Sequence, residues 1–291
     1  MPAPLEKKSC CKVNLLLNIL DRRADGFHDL ETILQPVQLH DILSFSSGGS
    51  GIELTCTDPS LPVDSRNLVH RAASAFFETT GRQDGLRIHI EKKIPLSAGL
   101  GGGSGNAATT LLALNEMFGV PLDAGQLQRI ASSIGSDVPF FLQDQPALAT
   151  GRGECIEPLS AFPALAGAWF LLIHPGFGVA TAWAYKNLGR FPNALRGRTG
   201  RAQQLVELLR GTDLVAAGRG FYNSLEAPVL DKYPLLALFQ EFLRAQGVAV
   251  ALMSGSGSTT FALTRTQAAA LKLESQVQSR FGPCWTAVVP V

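Results

Sequence analysis

The chain has 291 residues, with 25 Lys and Arg against 24 Asp and Glu, and a formal net charge of +1. This balance argues against nucleic acid or a charged membrane surface as a partner. Five cysteines without a C-x-x-C spacing exclude a disulfide framework and a zinc site, and they suit a reducing cytosol. No apolar run reaches the ~18 residues of a membrane span, so we expect a cytoplasmic protein.

The N-terminal part is predicted to begin with a strand over residues 12–20, where apolar residues alternate. Lys12 and Asn14 share the other face of this strand. There they either reach a cleft or face solvent. Further along, a short strand is predicted over residues 52–56 and a helix over residues 67–79.

A glycine-rich stretch separates a predicted strand over residues 86–91 from a predicted helix over residues 107–118. Five glycines fall between residues 99 and 105, and so many glycines predict irregular backbone. Free N–H groups and the positive end of the helix dipole would then meet at one point, which favours phosphate binding. The stretch lacks the lysine of a Walker loop and fits the dinucleotide pattern G-x-G-x-x-A only weakly. A flexible surface loop is the remaining alternative.

The second half is predicted to alternate strands and helices. A capping box at Asp123 opens a helix that ends near Gly135. Asp137 follows as either a helix cap or a carboxylate in a partly dry site. Ser254–Ser258 is a second glycine-rich loop, for which a hairpin turn is the alternative. The other predicted strands cover residues 169–174, 248–253, 259–263 and 285–289, and the helices cover residues 202–210, 212–219, 230–246 and 266–280.

Together, Lys12, the pattern P-x-x-x-G-L-G-G-G-S-x-N-A-A at residues 95–108 and S-G-S-G-S at residues 254–258 resemble the GHMP superfamily of small-molecule kinases. R-R-A-D-G-F-H at residues 22–28 and G-S-D-V-P-F-F at residues 135–141 are similar to the branch that acts on a diphosphocytidyl sugar alcohol. The resemblance runs from about residue 9 to about residue 263.

The resemblance implies an α/β (α+β) protein with the two-domain GHMP-kinase fold and a cleft between the domains. Residues 1–158 would form an N-terminal ATP-binding domain, like domain 2 of ribosomal protein S5. Residues 159–291 would form a C-terminal ferredoxin-like α/β sandwich.

The implied activity is ATP-dependent phosphorylation of the 2-hydroxyl of 4-diphosphocytidyl-2-C-methyl-D-erythritol, in the non-mevalonate route to isoprenoid precursors. ATP and Mg²⁺ are the implied cofactors, and this small molecule is the implied partner. No residue is assigned as a metal ligand, so the ion is expected on phosphates and water. A monomer and a weak homodimer both stay open.

The resemblance also implies residue roles, with Asp137 as catalytic base and Lys12 as its partner. Asn67 would contact adenine. The substrate would be bound by Asn14, Phe27, His28, Tyr185, Gly255, Ser256 and Gly257. The nucleotide phosphates would be bound by Pro95, Leu96, Ser97, Ala98, Gly99, Leu100, Gly101, Gly102, Gly103, Ser104 and Gly105. In this family pattern a tyrosine is commoner at the position of Phe27. Phe27 keeps the aromatic ring for stacking on cytosine but lacks the tyrosine hydroxyl.

Three other functions are compatible with parts of the sequence. Ser9-Cys10-Cys11-Lys12 fits the S-x-x-K nucleophile motif of penicillin-recognising acyl enzymes. A GHMP-like protein could hold nucleotide without catalysis, although Lys12 and Asp137 argue against this. A related kinase could act on another alcohol, such as homoserine or mevalonate.

Overall fold

The structure is a computed structural model that describes residues 4–291. These residues form two compact units that interleave along the chain. The first unit holds the described residues through Cys11, together with residues 39–96 and 101–144. The second holds residues 12–38, 97–100 and 145–291. The predicted domains are consecutive segments, and their boundary after residue 158 stays a prediction.

Two long strands begin in one unit and end in the other. They are β1 (Leu5–Arg22) and β2 (His28–Ser47). The strand predicted over residues 12–20 is confirmed as the centre of β1. Every residue from Cys11 to Ile19 is buried, so both faces of this part of β1 are covered.

In the first unit, a central strand pairs with a neighbour on each side. Residues Leu86–Glu91 alternate between buried and exposed positions, as their apolar pattern predicts. They pair antiparallel with the end of β2 and parallel with residues 52–56. The capping box predicted at Asp123 is present. The elements of this unit are β3 (Ile52–Cys56), α1 (Leu68–Thr80), β4 (Leu86–Glu91), α2 (Gly102–Met117) and α3 (Ala124–Ile134).

The second unit combines two sheets with helices around one apolar cluster. The strands are β5 (Ala147–Thr150), β6 (Cys155–Pro158), β7 (Trp169–His174), β8 (Tyr222–Asn223), β9 (Val250–Met253), β10 (Thr260–Thr264) and β11 (Trp285–Pro290). The helices are α4 (Thr181–Leu188), α5 (Arg201–Arg210), α6 (Leu214–Gly218), α7 (Glu226–Lys232), α8 (Pro234–Ala245) and α9 (Gln267–Phe281). β11, β7, β10 and β9 lie side by side in that order, each antiparallel to its neighbour.

One predicted helix of this unit is two helices. The pattern over residues 230–246 predicts a single helix, but the chain breaks at Tyr233 between α7 and α8. Pro234 is the first residue of α8, where its missing N–H costs nothing. The residue before a proline is disfavoured in helical geometry, and Tyr233 has a ψ of 75°. The apolar periodicity continues across this break and conceals it.

Candidate active site

The predicted phosphate loop leads into the first turn of α2, in the first unit. Gly101 precedes the helix with a φ of 69°, a conformation that favours glycine. Within the described chain, no side chain caps this helix end. The first N–H groups of an α-helix have no partner inside the helix, and the dipole is positive there. This turn is therefore able to bind an anion such as a phosphate.

The glycine run is more regular than its composition predicts. Residues 102–105 belong to α2, so the expectation of irregular backbone is wrong for them. A Cβ at Gly105 would lie only 2.5 Å from the carbonyl oxygen of Cys10. One at Gly102 would lie 2.9 Å from a methyl carbon of Ile94. These glycines allow close packing of the first turn, and that gain outweighs their low helix propensity.

Asp41 on β2 is a fully buried carboxylate that the sequence analysis missed. One of its oxygens accepts from the backbone N–H groups of Lys93 and Ile94 at 2.8 and 2.9 Å. The other accepts from Lys92 Nζ at 2.7 Å and Asn106 Nδ2 at 2.9 Å. The carboxylate thus ties the end of β4 to the second turn of α2. The signal in the sequence is limited to an acid close to the apolar residues Leu39, Ile42 and Leu43.

Asn67 stands at the start of α1, as predicted, and its side chain is buried. Its Oδ1 accepts from the N–H of Val69 at 2.9 Å, and its Nδ2 donates to the carbonyl oxygen of Pro62 at 2.7 Å. Asn67 is therefore the N-cap residue of this helix. The predicted contact with adenine stays a prediction.

Asp137 is half-buried in the turn that follows α3. A short 3₁₀ helix, Pro139–Leu142, comes next, and its cap position is held by Val138. Asp137 is therefore not the cap residue of that helix. The carboxylate in a partly dry site is the alternative that remains, and it stays a prediction.

Lys12 lies on β1 in the second unit with its side chain removed from solvent. Lys12 is 3% exposed and Asn14 is 4% exposed, so the expectation that both could face solvent is wrong. The ammonium donates to Asn14 Oδ1 at 2.6 Å and to the carbonyl oxygen of Gly99 at 3.1 Å. Burying a charge is costly unless fixed oxygens replace its water. The N–H of Lys12 also donates to the carbonyl oxygen of Leu100 at 2.9 Å, so the glycine-rich loop runs directly beside it.

The second glycine-rich loop contacts the same part of the first one, within the second unit. Ser254 Oγ donates to the carbonyl oxygen of Gly99 at 3.0 Å. A Cβ at Gly99 would lie 2.1 Å from the carbonyl oxygen of Ser254, so only glycine fits there. Asn223, a buried residue that the sequence analysis missed, donates to the carbonyl oxygens of Met253 and Gly255 at 2.8 Å. The loop is thus anchored at its base and held against residue 99.

The rest of the second loop is also held in place. Ser256 Oγ lies 2.9 Å from Thr181 Oγ1, at the start of α4. The N–H of Thr259 donates to the carbonyl oxygen of Ala98 at 3.1 Å. Gly257 has a positive φ of 85°. The loop joins β9 to β10, so the hairpin alternative describes its connectivity correctly.

Aromatic residues predicted to bind the substrate lie in the second unit. The rings of His28 and Tyr185 are 5.4 Å apart. Phe27 is 53% exposed, and the guanidinium of Arg152 lies 4.9 Å from its ring centre. Burial lowers the pKa of His28, and the charge of Arg22 lowers that pKa further. His28 is therefore a neutral ring at pH 7, suited to hydrogen bonding and stacking.

Among residues 4–291, no group of three or more His, Cys, Asp or Glu side chains lies where it could hold a metal ion. None of the helices in this range is both long and apolar enough to cross a membrane.

Comparison with known proteins defines the class first. The family model for the GHMP kinases N terminal domain matches residues 67–151, and the one for the GHMP kinases C terminal matches residues 205–283. The architecture is that of a GHMP kinase, with ATP as phosphoryl donor and an alcohol group as acceptor. The acyl-enzyme alternative is wrong, and Ser9, its required nucleophile, is 1% exposed.

Curated relatives then define the family. A 4-diphosphocytidyl-2-C-methyl-D-erythritol kinase from Syntrophotalea carbinolica is 39% identical over 286 residues, covering 96% of each chain. One from Syntrophus aciditrophicus is 40% identical over 269 residues, covering 92% of each chain. A crystal structure of 4-(cytidine 5'-diphospho)-2C-methyl-D-erythritol kinase is 34% identical, with a TM-score of 0.82, over 99% of this chain and 100% of that one. The chain belongs to the 4-diphosphocytidyl-2-C-methyl-D-erythritol kinase family.

Proposed function

We propose that this kinase phosphorylates the 2-hydroxyl of 4-diphosphocytidyl-2-C-methyl-D-erythritol. The hydroxyl oxygen attacks the γ-phosphorus of ATP as the bond to the β-phosphate oxygen breaks, and ADP leaves. Asp137 takes the hydroxyl proton. Lys12 stabilises negative charge on the transferring group. The observation that carries this proposal is the buried Lys12 ammonium, which two oxygens hold beside both glycine-rich loops.

The nucleotide phosphates are proposed to bind the loop from Pro95 to Gly105. The uncapped first turn of α2 supports this, because its N–H groups suit phosphate oxygens. Mg²⁺ would neutralise phosphate charge when bound with ATP. Since the described residues offer no cluster of metal ligands, phosphates and water would supply most of its coordination.

The cytidine end of the substrate is proposed to bind at the aromatic residues of the second unit. Phe27 offers an exposed ring face for cytosine, and the paired rings of His28 and Tyr185 supply further aromatic surface. Gly255, Ser256 and Gly257 would contact the diphosphate.

The test is an assay of ADP release with purified protein, Mg-ATP and 4-diphosphocytidyl-2-C-methyl-D-erythritol. Homoserine and mevalonate serve as alternative acceptors. We expect turnover only with the cytidyl substrate. Turnover with another alcohol would replace the substrate but keep the kinase. ATP binding without turnover on any acceptor would favour the binding-protein alternative.

The proposed role of Asp137 as catalytic base is tested with Asp137→Asn, which keeps the shape of the side chain and removes its basicity. We expect kcat to fall on the order of a hundredfold or more while ATP binding is retained. Asp144→Asn is a matched control, because Asp144 is an exposed acid a few residues further on. Near-normal kcat in Asp137→Asn would refute the assignment.

A further inference from the structure

Thr32 on β2 is a buried residue whose hydroxyl lies next to Asn14 in the second unit. Thr32 is 4% exposed. Asn14 Nδ2 lies 2.8 Å from Thr32 Oγ1. Thr32 Oγ1 in turn donates to the backbone carbonyl oxygen of Leu16. Three hydrogen bonds therefore form a chain that begins at the Lys12 ammonium and ends on the backbone of β1.

Proton counting fixes the direction of every hydrogen bond in this chain. A threonine hydroxyl has a single proton, and a backbone carbonyl oxygen can only accept. The proton of Thr32 is therefore committed to Leu16, so its oxygen must accept from Asn14. The Asn14 amide then has to turn its NH₂ group toward Thr32 and its oxygen toward Lys12. An ammonium has only donors, so this is the orientation that Lys12 requires.

We propose that Thr32 is a positioning residue, which orients the Asn14 amide and through it holds the Lys12 ammonium in place. This inference rests on the proposed function, in which that ammonium stabilises the transferring phosphoryl group. Thr32 acts through Asn14, and the Gly99 carbonyl oxygen is a second acceptor of the ammonium.

The role of Thr32 is specific to its hydroxyl. Valine has nearly the same shape, but it offers no oxygen to the Asn14 amide. The Asn14 NH₂ group would then be buried without a partner, which favours movement of the side chain toward another acceptor. Such a movement withdraws Oδ1 from Lys12, so the ammonium would lose one of its acceptors and shift. A displaced charge loses more stabilisation in the transition state than in the ground state.

The experiment compares Thr32→Val with Thr32→Ser in the ADP-release assay. We expect Thr32→Val to lower kcat at least tenfold, which corresponds to about 1.4 kcal/mol, with less than a threefold change in KM for ATP. Thr32→Ser keeps the hydroxyl and should stay within about threefold of the wild type. Equal kcat values for the two variants would overturn the proposal.

A second set of variants separates positioning from general destabilisation. In an Asn14→Ala background, Thr32→Val should lower kcat by less than about twofold, because the residue through which it acts is gone. A full tenfold loss in that background would overturn the proposal. If the valine variant does not fold, Thr32→Ala replaces it in the same cycle.

A crystal structure of Thr32→Val tests the geometry independently of the substrate. We expect the Lys12 Nζ–Asn14 Oδ1 distance to rise from 2.6 Å beyond hydrogen-bond range, about 3.5 Å. An unchanged distance would refute the positioning role. A wild-type protein without turnover would refute the proposed function instead, and the crystal structure would still decide the role of Thr32.

Discussion

The buried ion pair of Asp41 and Lys92 predicts an unequal response when either partner is replaced. The two side chains are 0% and 6% exposed. In Asp41→Asn the shape is kept, but one oxygen becomes an NH₂ group. Each carboxylate oxygen of Asp41 accepts from two donors, so in either orientation the new NH₂ group faces two donors. With the NH₂ group toward Lys92, the ammonium would keep the carbonyl oxygen of Ile94 but lose the carboxylate. In the other orientation the N–H groups of Lys93 and Ile94 would lose their acceptor.

The loss of stability in each variant depends on which buried polar groups remain without a partner. Breaking a buried ion pair by removing one partner costs roughly 3–5 kcal/mol, and we expect Asp41→Asn to fall in this range. Lys92→Met removes the cation but leaves the carboxylate with three N–H donors, which stabilise its charge. We therefore expect Lys92→Met to cost about 2 kcal/mol less than Asp41→Asn.

The free energy of unfolding in urea measures both effects, through the midpoint at constant m-value. Glu53→Gln is the control, because it breaks the exposed pair of Glu53 with Arg87 and should change the midpoint far less. The reasoning would be refuted if Lys92→Met were as destabilising as Asp41→Asn, or if Asp41→Asn behaved like Glu53→Gln.

Three further predictions use other features of the second unit. Gly99→Ala should abolish most turnover. Gly176→Ala, also at positive φ but with open space for a Cβ, should keep most turnover and cost only roughly 1 kcal/mol of stability through backbone strain. Equal losses of turnover in the two variants would contradict this. Burial raises the pKa of Glu226, so its contribution to stability is present below about pH 4.5 and is lost as pH rises through the folded pKa. Glu226→Gln should therefore gain stability relative to wild type with rising pH in urea titrations, and a constant difference would refute this. Arg152→Ala should raise KM for the cytidyl substrate roughly two- to fivefold by releasing the Phe27 ring, with KM for ATP as the unchanged reference.

Local signals were enough to predict many elements of the fold. The alternation over Leu86–Glu91 gives β4 its bounds, and the capping box at Asp123 gives the start of α3. Each of these signals depends on residues that are neighbours in sequence. The family resemblance added the class of enzyme, because the glycine-rich stretch alone allows several kinds of phosphate loop.

Other features depend on contacts between distant residues, which a single sequence does not display. The helical glycine at residue 105 is explained by the nearby backbone of Cys10, almost a hundred residues earlier. No sequence pattern marks Asn223, and only its hydrogen bonds to residues 253 and 255 show that it anchors the second loop. The burial of Lys12 likewise depends on the carbonyl of Gly99. The candidate residues were therefore predictable by type and motif, whereas their supporting contacts were not.

The interleaving of the two units has a consequence for synthesis on the ribosome. Asn14 contacts Ser254 across 240 positions of sequence, and Leu16 pairs with Tyr222. Asn14 and Leu16 therefore emerge early but have to wait for most of the chain before these partners exist. The segments of the first unit, by contrast, have all been synthesised by residue 144. Such distant pairings slow folding and expose apolar strands meanwhile, so the nascent chain has its greatest need for chaperones before the second glycine-rich loop emerges.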